Sequence, residues 1–292
     1  MSAPLPALPA RPRVVVDTDA DNEIDDQFAV VHALLAPDRV AVEAFYAAPF
    51  HNDRSRGPED GMLRSRAELE RILEIAGGGP PVLEGARAWL PGPSTPVASP
   101  AAEDLIARSE TGEPPLVVVA LAALPTVASG LLLDPGLRER IVVVWLGGHA
   151  RWWPTAREFN LAQDPHAARV VLGAGVPLVH VPCLGVASSL ATTRAEIDAH
   201  VRGRGVLGDF LAGRFARDVD GTPGRSRILW DMGAMGWALD RGWLGTRPRP
   251  SPVLTDDLTW REAPDRRLVL AAETVDRDAV YGDLFARLAA QA

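Results

Sequence analysis

The chain has 292 residues, 47% of them hydrophobic, a formal charge of −8 and a single cysteine, Cys183. Such a chain is long enough to bury a core without staples; it excludes a disulfide framework and a cysteine metal cluster, and its acidic balance argues against a nucleic-acid binder. Residues 1–12 lack the charged start and apolar run of a leader, and every long apolar stretch is broken, so a cytoplasmic protein with no membrane partner is expected.

Residues 13–16 form a β-branched run that reads as a buried strand. Apolar residues at helical spacing follow over 25–35 (Phe28, Val31, Leu34, Leu35), stopped by Pro37. A second strand is expected over 40–47, a polar loop over 49–61, a helix over 63–76 closed by three glycines, and a short strand within 82–89. Beyond a Pro/Ser-rich loop at 91–100 come a helix over 101–109, a buried strand over 116–122, a helix over 126–132 and a strand over 141–146. That strand leads into Gly147, Gly148 and a Trp-rich loop. The pattern continues with a helix over 165–173, a strand over 178–181 and a helical stretch with a glycine-rich break over 193–217. A helix over 232–239, a Pro-rich connection over 247–252, a strand over 267–271 and a closing helix over 277–290 complete it.

Apolar runs alternating with amphipathic helices predict one α/β domain over 1–292: an open, mainly parallel sheet flanked by helices, with a Rossmann-like core. Residues 1–12 read as a loose N-terminal extension. In such sheets the ligand lies at the carboxyl ends of the strands, so functional residues should follow strands. Cys183 follows the apolar run 176–181 and reads as a buried small hydrophobe, with a nucleophile as the alternative.

The most informative segment runs from Asp17 to Asp26: Asp17, Asp19, Asp21, Glu23, Asp25 and Asp26 put six carboxylates into ten positions. Like charges this close resist ionising together. The segment contains no lysine or arginine, so a divalent cation is the economical compensation, and an all-oxygen donor set suits Ca2+ or Mg2+. The alternative is a solvated acidic loop whose Asp25 and Asp26 cap the following helix. An EF-hand reading from Asp17 fails at Asn22, where glycine is needed, and at Phe28, where the closing glutamate is needed. An Asp-x-Asp phosphohydrolase reading, with Asp17 as nucleophile, lacks its later lysine because the chain has none.

The segment resembles the signature of the inosine-uridine preferring nucleoside hydrolase family, a strand followed by Asp-x-Asp-Pro-Gly-x-Asp-Asp. Asp17, Asp19, Asp25 and Asp26 match its acidic positions, while residues 20–23 replace Pro-Gly in a loop two residues longer. The resemblance continues in order along the chain. Residues 116–128 resemble the family's strand and metal-binding turn, and 141–148 its strand ending in Gly-Gly. Glu158-Phe159-Asn160 with Asp164-Pro165 resembles Glu-Phe-Asn and Asp-Pro, and Trp230-Asp231 resembles His-Asp.

The resemblance implies a nucleoside hydrolase-like fold and hydrolysis of the N-glycosidic bond of a small-molecule ribonucleoside or related N-riboside. It further implies that Asp19, Asp26, Asp231 and the Leu121 carbonyl hold Ca2+, with waters and sugar hydroxyls completing a shell of about eight oxygens. Asp19 would also take a proton from a water that the cation makes more acidic. Asp25, Glu158, Asn160 and Asn52 would grip the ribose. A homo-oligomer is implied as well.

The chain is a divergent member in this reading. Trp230 replaces the family's histidine, and Arg151-Trp152-Trp153 replaces an asparagine region. Trp152 and Trp230 offer flat faces for a base, which leans the reading towards purines; packing the core or an interface is the alternative. His51 and His149 follow strands and would be the residues able to donate a proton to the leaving base. The other histidines lack metal-ligand spacing. A metal-dependent phosphohydrolase and a non-catalytic nucleoside-binding protein stand as the other functional classes.

Overall fold

The computed structural model describes residues 4–113 and 115–291; the first three residues of the N-terminal extension lie outside it. In chain order the strands are β1 (Arg13–Thr18), β2 (Ala41–Ala47), β3 (Val82–Glu84), β4 (Leu116–Ala120), β5 (Ile141–Leu146), β6 (Leu178–Val181), β7 (Ala191–Thr193), β8 (Ser226–Ile228), β9 (Leu244–Pro250), β10 (Val253–Leu254), β11 (Trp260–Arg261) and β12 (Leu268–Val275). The helices are α1 (Asp25–Leu34), α2 (Pro58–Ile75), α3 (Pro100–Glu110), α4 (Pro125–Leu133), α5 (Phe159–Gln163), α6 (Pro165–Gly173), α7 (Arg194–His200), α8 (Gly205–Asp218), α9 (Met232–Leu239) and α10 (Arg277–Ala289).

Eight strands form one sheet in the order β3-β2-β1-β4-β5-β6-β12-β9. Every neighbouring pair is parallel except β12 with β9. The central strands are continuous apolar runs because helices cover both faces. Along them, side chains alternate between two cores. Val14, Val16, Val117, Val119, Val142 and Val144 pack with Phe28 of α1, Phe215 of α8 and Tyr281 of α10. Val15, Val118 and Val143 pack with Leu105 of α3, Val127 of α4 and Val171 of α6.

The strand order places the site. From β1 the chain first adds strands on one side, then returns to add β4 on the other. The loops leaving β1 and β4 therefore diverge and leave a crevice at their carboxyl ends. Among the described residues no helix is long and apolar enough to cross a membrane.

Three expectations are corrected. Residues 247–252, read as a connection, mostly belong to β9, which pairs antiparallel along β12 at the sheet edge. Pro248 and Pro250 are tolerated there because an edge strand has one side without a ladder. Residues 58–61, read as loop, form the first turn of α2, where Pro58 loses no helical hydrogen bond. Gly61 is required by close approach instead of a turn: a Cβ there would stand 1.9 Å from the Phe50 carbonyl oxygen. The N-terminal extension is docked instead of loose, with Leu5 and Leu8 against the core and Arg241 donating to the carbonyls of Leu8 and Pro9.

Candidate functional site

The loop from Asp19 to Ile24 crosses the carboxyl end of β1. It is folded by the Asn22 N–H donating to the Asp19 carbonyl at 2.7 Å and the Gln27 amide donating to the Ala20 carbonyl at 3.1 Å. It delivers Asp25 and Asp26 to the first turn of α1, where free backbone N–H groups favour carboxylates. Asp231 sits at the N-terminus of α9. These elements enclose a cavity of about 270 Å³ whose walls include Asp19, Asp25, Asp26, Leu121, Glu158, Asn160, Trp230 and Asp231.

The fold divides the acidic cluster into two parts. The outer carboxylates meet arginines from distant elements: Arg64 of α2 and Arg214 of α8 each stand 3.8 Å from Asp21, and Arg227 of β8 pairs with Glu23 at 2.7 Å. The inner carboxylates are buried, and Asp19 Oδ2 and Asp25 Oδ1 have no hydrogen-bond partner among the described residues. Burial, and then repulsion from neighbouring carboxylates, holds Asp19, Asp25 and Asp231 well above the ordinary aspartate range. Asp26 is pushed up by burial and restrained by the Thr18 hydroxyl, which donates to its Oδ1. Asp17 is pushed up to about 8 by burial alone.

This electrostatic debt fits a hard divalent cation. Carboxylate oxygens of Asp25, Asp26 and Asp231 lie within 4.8 Å of one another, so these three residues could hold a metal ion. The convergent group shares Asp26 and Asp231 with the set implied by the family resemblance. It adds Asp25, which the resemblance assigned to ribose, while Asp19 and Leu121 line the same cavity.

Glu158 and Asn160 build another part of the cavity wall. Glu158 caps α5: its Oε1 accepts the Asn160 N–H at 2.9 Å, and its Oε2 accepts those of Gly148 at 2.8 Å and Leu161 at 3.1 Å. Burial raises the Glu158 carboxyl and these N–H donors oppose the shift. The Asn160 side-chain amide donates to the Leu121 carbonyl at 2.8 Å and the Leu146 carbonyl at 3.2 Å. Both amide hydrogens are thereby used, and Oδ1 remains as an acceptor. Asp25 Oδ2 accepts the Trp230 backbone N–H at 3.0 Å, which ties α1 to the segment before α9.

Other expected residues are not brought to the cavity. Asn52 instead donates to Asn22 Oδ1 at 2.8 Å, supporting the acidic loop from outside. Trp152 is 72% exposed and borders a different cavity with Arg151 and His180. The His51 ring contacts Ser55 at 3.3 Å. His149 does line the cavity, as do Asn22, Glu23, Phe159 and Cys183, which were not singled out for it. The loop's two extra residues were the signal for Asn22 and Glu23. Cys183 is buried as expected, but its position just after β6 also puts it on the wall, where its thiol faces Glu158.

A sequence profile described as inosine-uridine preferring nucleoside hydrolase matches residues 14–282. Among curated relatives, the pyrimidine-specific ribonucleoside hydrolase RihA of Salmonella typhimurium is 29% identical over 187 residues. That match covers 57% of this chain and 58% of the relative, so it spans less than two thirds of that protein's length. The fold is similar to that of a plant nucleoside hydrolase, PpNRh1, with a TM-score of 0.75 and 21% identity over 97% of this chain and 100% of that one. It is also similar to an inosine-guanosine nucleoside hydrolase, with a TM-score of 0.77 and 18% identity over 95% of this chain and 99% of that one.

Proposed function

The chain belongs to the inosine-uridine preferring nucleoside hydrolase family, and from that premise we propose that it hydrolyses the N-glycosidic bond of a ribonucleoside to ribose and free base, with Ca2+ as its cation. The observation that carries the reading is the buried carboxylate group in the cavity, with convergent oxygens and unpartnered acceptors. Asp19, Asp26, Asp231 and the Leu121 carbonyl would hold the ion, with Asp25 beside them. The ion would supply Lewis acidity that makes water a better nucleophile near neutral pH.

The protein's own groups divide the remaining work. Asp19 receives the proton of the attacking water, for which its buried and unpartnered Oδ2 is suited. Asp25 has one oxygen held by the Trp230 N–H and the other free to accept a ribose hydroxyl. Asn160 presents Oδ1 as a second acceptor, because its nitrogen is committed to two carbonyls. Glu158 orients Asn160 and, with three of its four acceptor sites taken by the Asn160, Gly148 and Leu161 N–H groups, keeps one on Oε1 for the sugar. The surrounding carboxylates favour the positive charge that develops on the ribose ring as the bond breaks.

The leaning towards purines now rests on Trp230 at the cavity, since Trp152 points elsewhere. The named sequence relative is pyrimidine-specific, which weighs against that leaning. Asp17, the nucleophile of the phosphohydrolase alternative, is fully buried and is not among the cavity-lining residues.

The test is ribose release from inosine, guanosine, adenosine, uridine and cytidine, with Ca2+ and then with a chelator. Calcium-dependent release supports the reading, and the rank order of bases decides the purine question. No release from any nucleoside, by protein shown to bind Ca2+, overturns the activity.

A further inference from the structure

His149 stands just past the carboxyl end of β5 and lines the cavity. Three contacts fix it. Its backbone carbonyl accepts the Trp260 indole N–H at 2.8 Å, and its ring meets Trp153 edge-on with centroids 6.2 Å apart. Its ring Nδ1 accepts the Leu184 backbone N–H at 3.3 Å. A backbone N–H only donates, so Nδ1 carries no proton, and the hydrogen-bond network assigns the proton of the neutral ring to Nε2. Protonating both ring nitrogens would set one N–H against another. Burial also disfavours the charged ring, although the carbonyls of Arg157 and Gly148 oppose that effect.

A base leaving a riboside takes the electrons of the broken C–N bond, and a donor aimed at it lowers the barrier. The cavity offers few such donors. The carboxylates accept when ionised, the Asn160 amide is committed to Leu121 and Leu146, and the Cys183 thiol faces Glu158. Asn22 lies on the acidic loop that carries Asp19, and Trp230, whose indole N–H is also a donor, is tied by its backbone N–H to Asp25 on the carboxylate side of the cavity. His149 is held by Leu184, one of the apolar residues of the cavity together with Leu146 and Phe159, a lining suited to a flat base.

We propose that His149 is a catalytic residue that hydrogen-bonds the departing base through Nε2–H as a neutral imidazole. The inference rests on the hydrolase reading above. The C1′–N bond breaks and its electron pair goes to the base; the water oxygen bonds to C1′ and its proton passes to Asp19. The base takes its final proton from solvent, because a neutral ring that gave up Nε2–H would become an imidazolate. The hydrogen bond strengthens as charge accumulates on the base.

The experiment compares wild type, His149→Ala and His149→Gln on inosine, uridine and 4-nitrophenyl β-D-ribofuranoside, whose nitrophenolate departs without assistance. The loss of kcat/KM in His149→Ala is expected to be about 100-fold greater on nucleosides than on the nitrophenyl riboside. His149→Gln, which keeps a donor but does not titrate, should recover part of that difference. Equal losses on all three substrates would indicate a structural role and overturn the proposal, as would undiminished nucleoside turnover. A wild type inert on all three overturns the hydrolase reading itself and this inference with it.

Discussion

The side-chain amide of Asn160 donates to the backbone carbonyl of Leu121 at 2.8 Å. With its second bond, to Leu146 at 3.2 Å, it joins α5 to the ends of two neighbouring strands. One residue thus holds the backbone oxygen proposed for the ion and presents its own oxygen to the sugar. Asn160→Ala leaves both buried carbonyls without that donor. We expect a stability loss of about 1–3 kcal/mol in urea unfolding, together with a fall in kcat/KM. A variant as stable and active as wild type would remove Asn160 from both roles.

Asp19→Ala separates binding from chemistry. Ribose release should fall by about 10²–10⁴-fold, the range of a lost general base. Nucleoside binding, followed by equilibrium dialysis, should persist in part through Asp25 and Asn160. Turnover near the wild-type rate would assign the base elsewhere.

Asp231→Asn tests the ion directly. Asp231 contributes to the convergent oxygens with Asp25 and Asp26. Calorimetric titration should show Ca2+ affinity reduced at least about 10-fold, within the scale seen when a site's charge count falls. Unchanged binding would place the ion away from this group.

The buried carboxyls set a pH dependence whose sign can be worked out. Asp17, at about 8, and Asp19, Asp25 and Asp231 bind protons more tightly folded than unfolded, where the ordinary value is 3.8. Their contribution is complete below 3.8 and is lost as pH rises through the folded values, reaching about 8 for Asp17. The ion-free protein should therefore lose Tm across that window. Ca2+ offsets the loss for the carboxyls it neutralises, so the rise in Tm on adding Ca2+ should be larger at pH 8 than at pH 5. Thermal scans with and without a chelator measure this, and equal rises would contradict it.

The two tryptophans should behave differently. Trp230 lines the cavity, whereas Trp152 is 72% exposed and borders another cavity. Trp230→Ala should raise KM for nucleosides, while Trp152→Ala should leave kcat and KM within about 2-fold, as for a surface change. Equal effects would return Trp152 to the substrate site.

The sequence by itself determined the sheet and the acidic loop. Val14 to Val16, Val117 to Val119 and Val142 to Val144 are buried on both faces, so their apolar runs are a local record of a parallel sheet. The aspartates lie within one short segment after a strand, and the strand-end rule places such a segment at a ligand crevice. The charge balance was beyond local reading: Arg64, Arg214 and Arg227 reach Asp21 and Glu23 from elements far along the chain. Only the tertiary structure separates compensated carboxylates from those left for an ion. The same holds for Trp152, Asn52 and His149. Side-chain direction at a loop depends on its packing partners, and the Leu184 N–H that fixes the His149 ring comes from the end of another strand. Local periodicity records which face is buried, because burial repeats along an element; it does not record which distant group a single polar side chain meets.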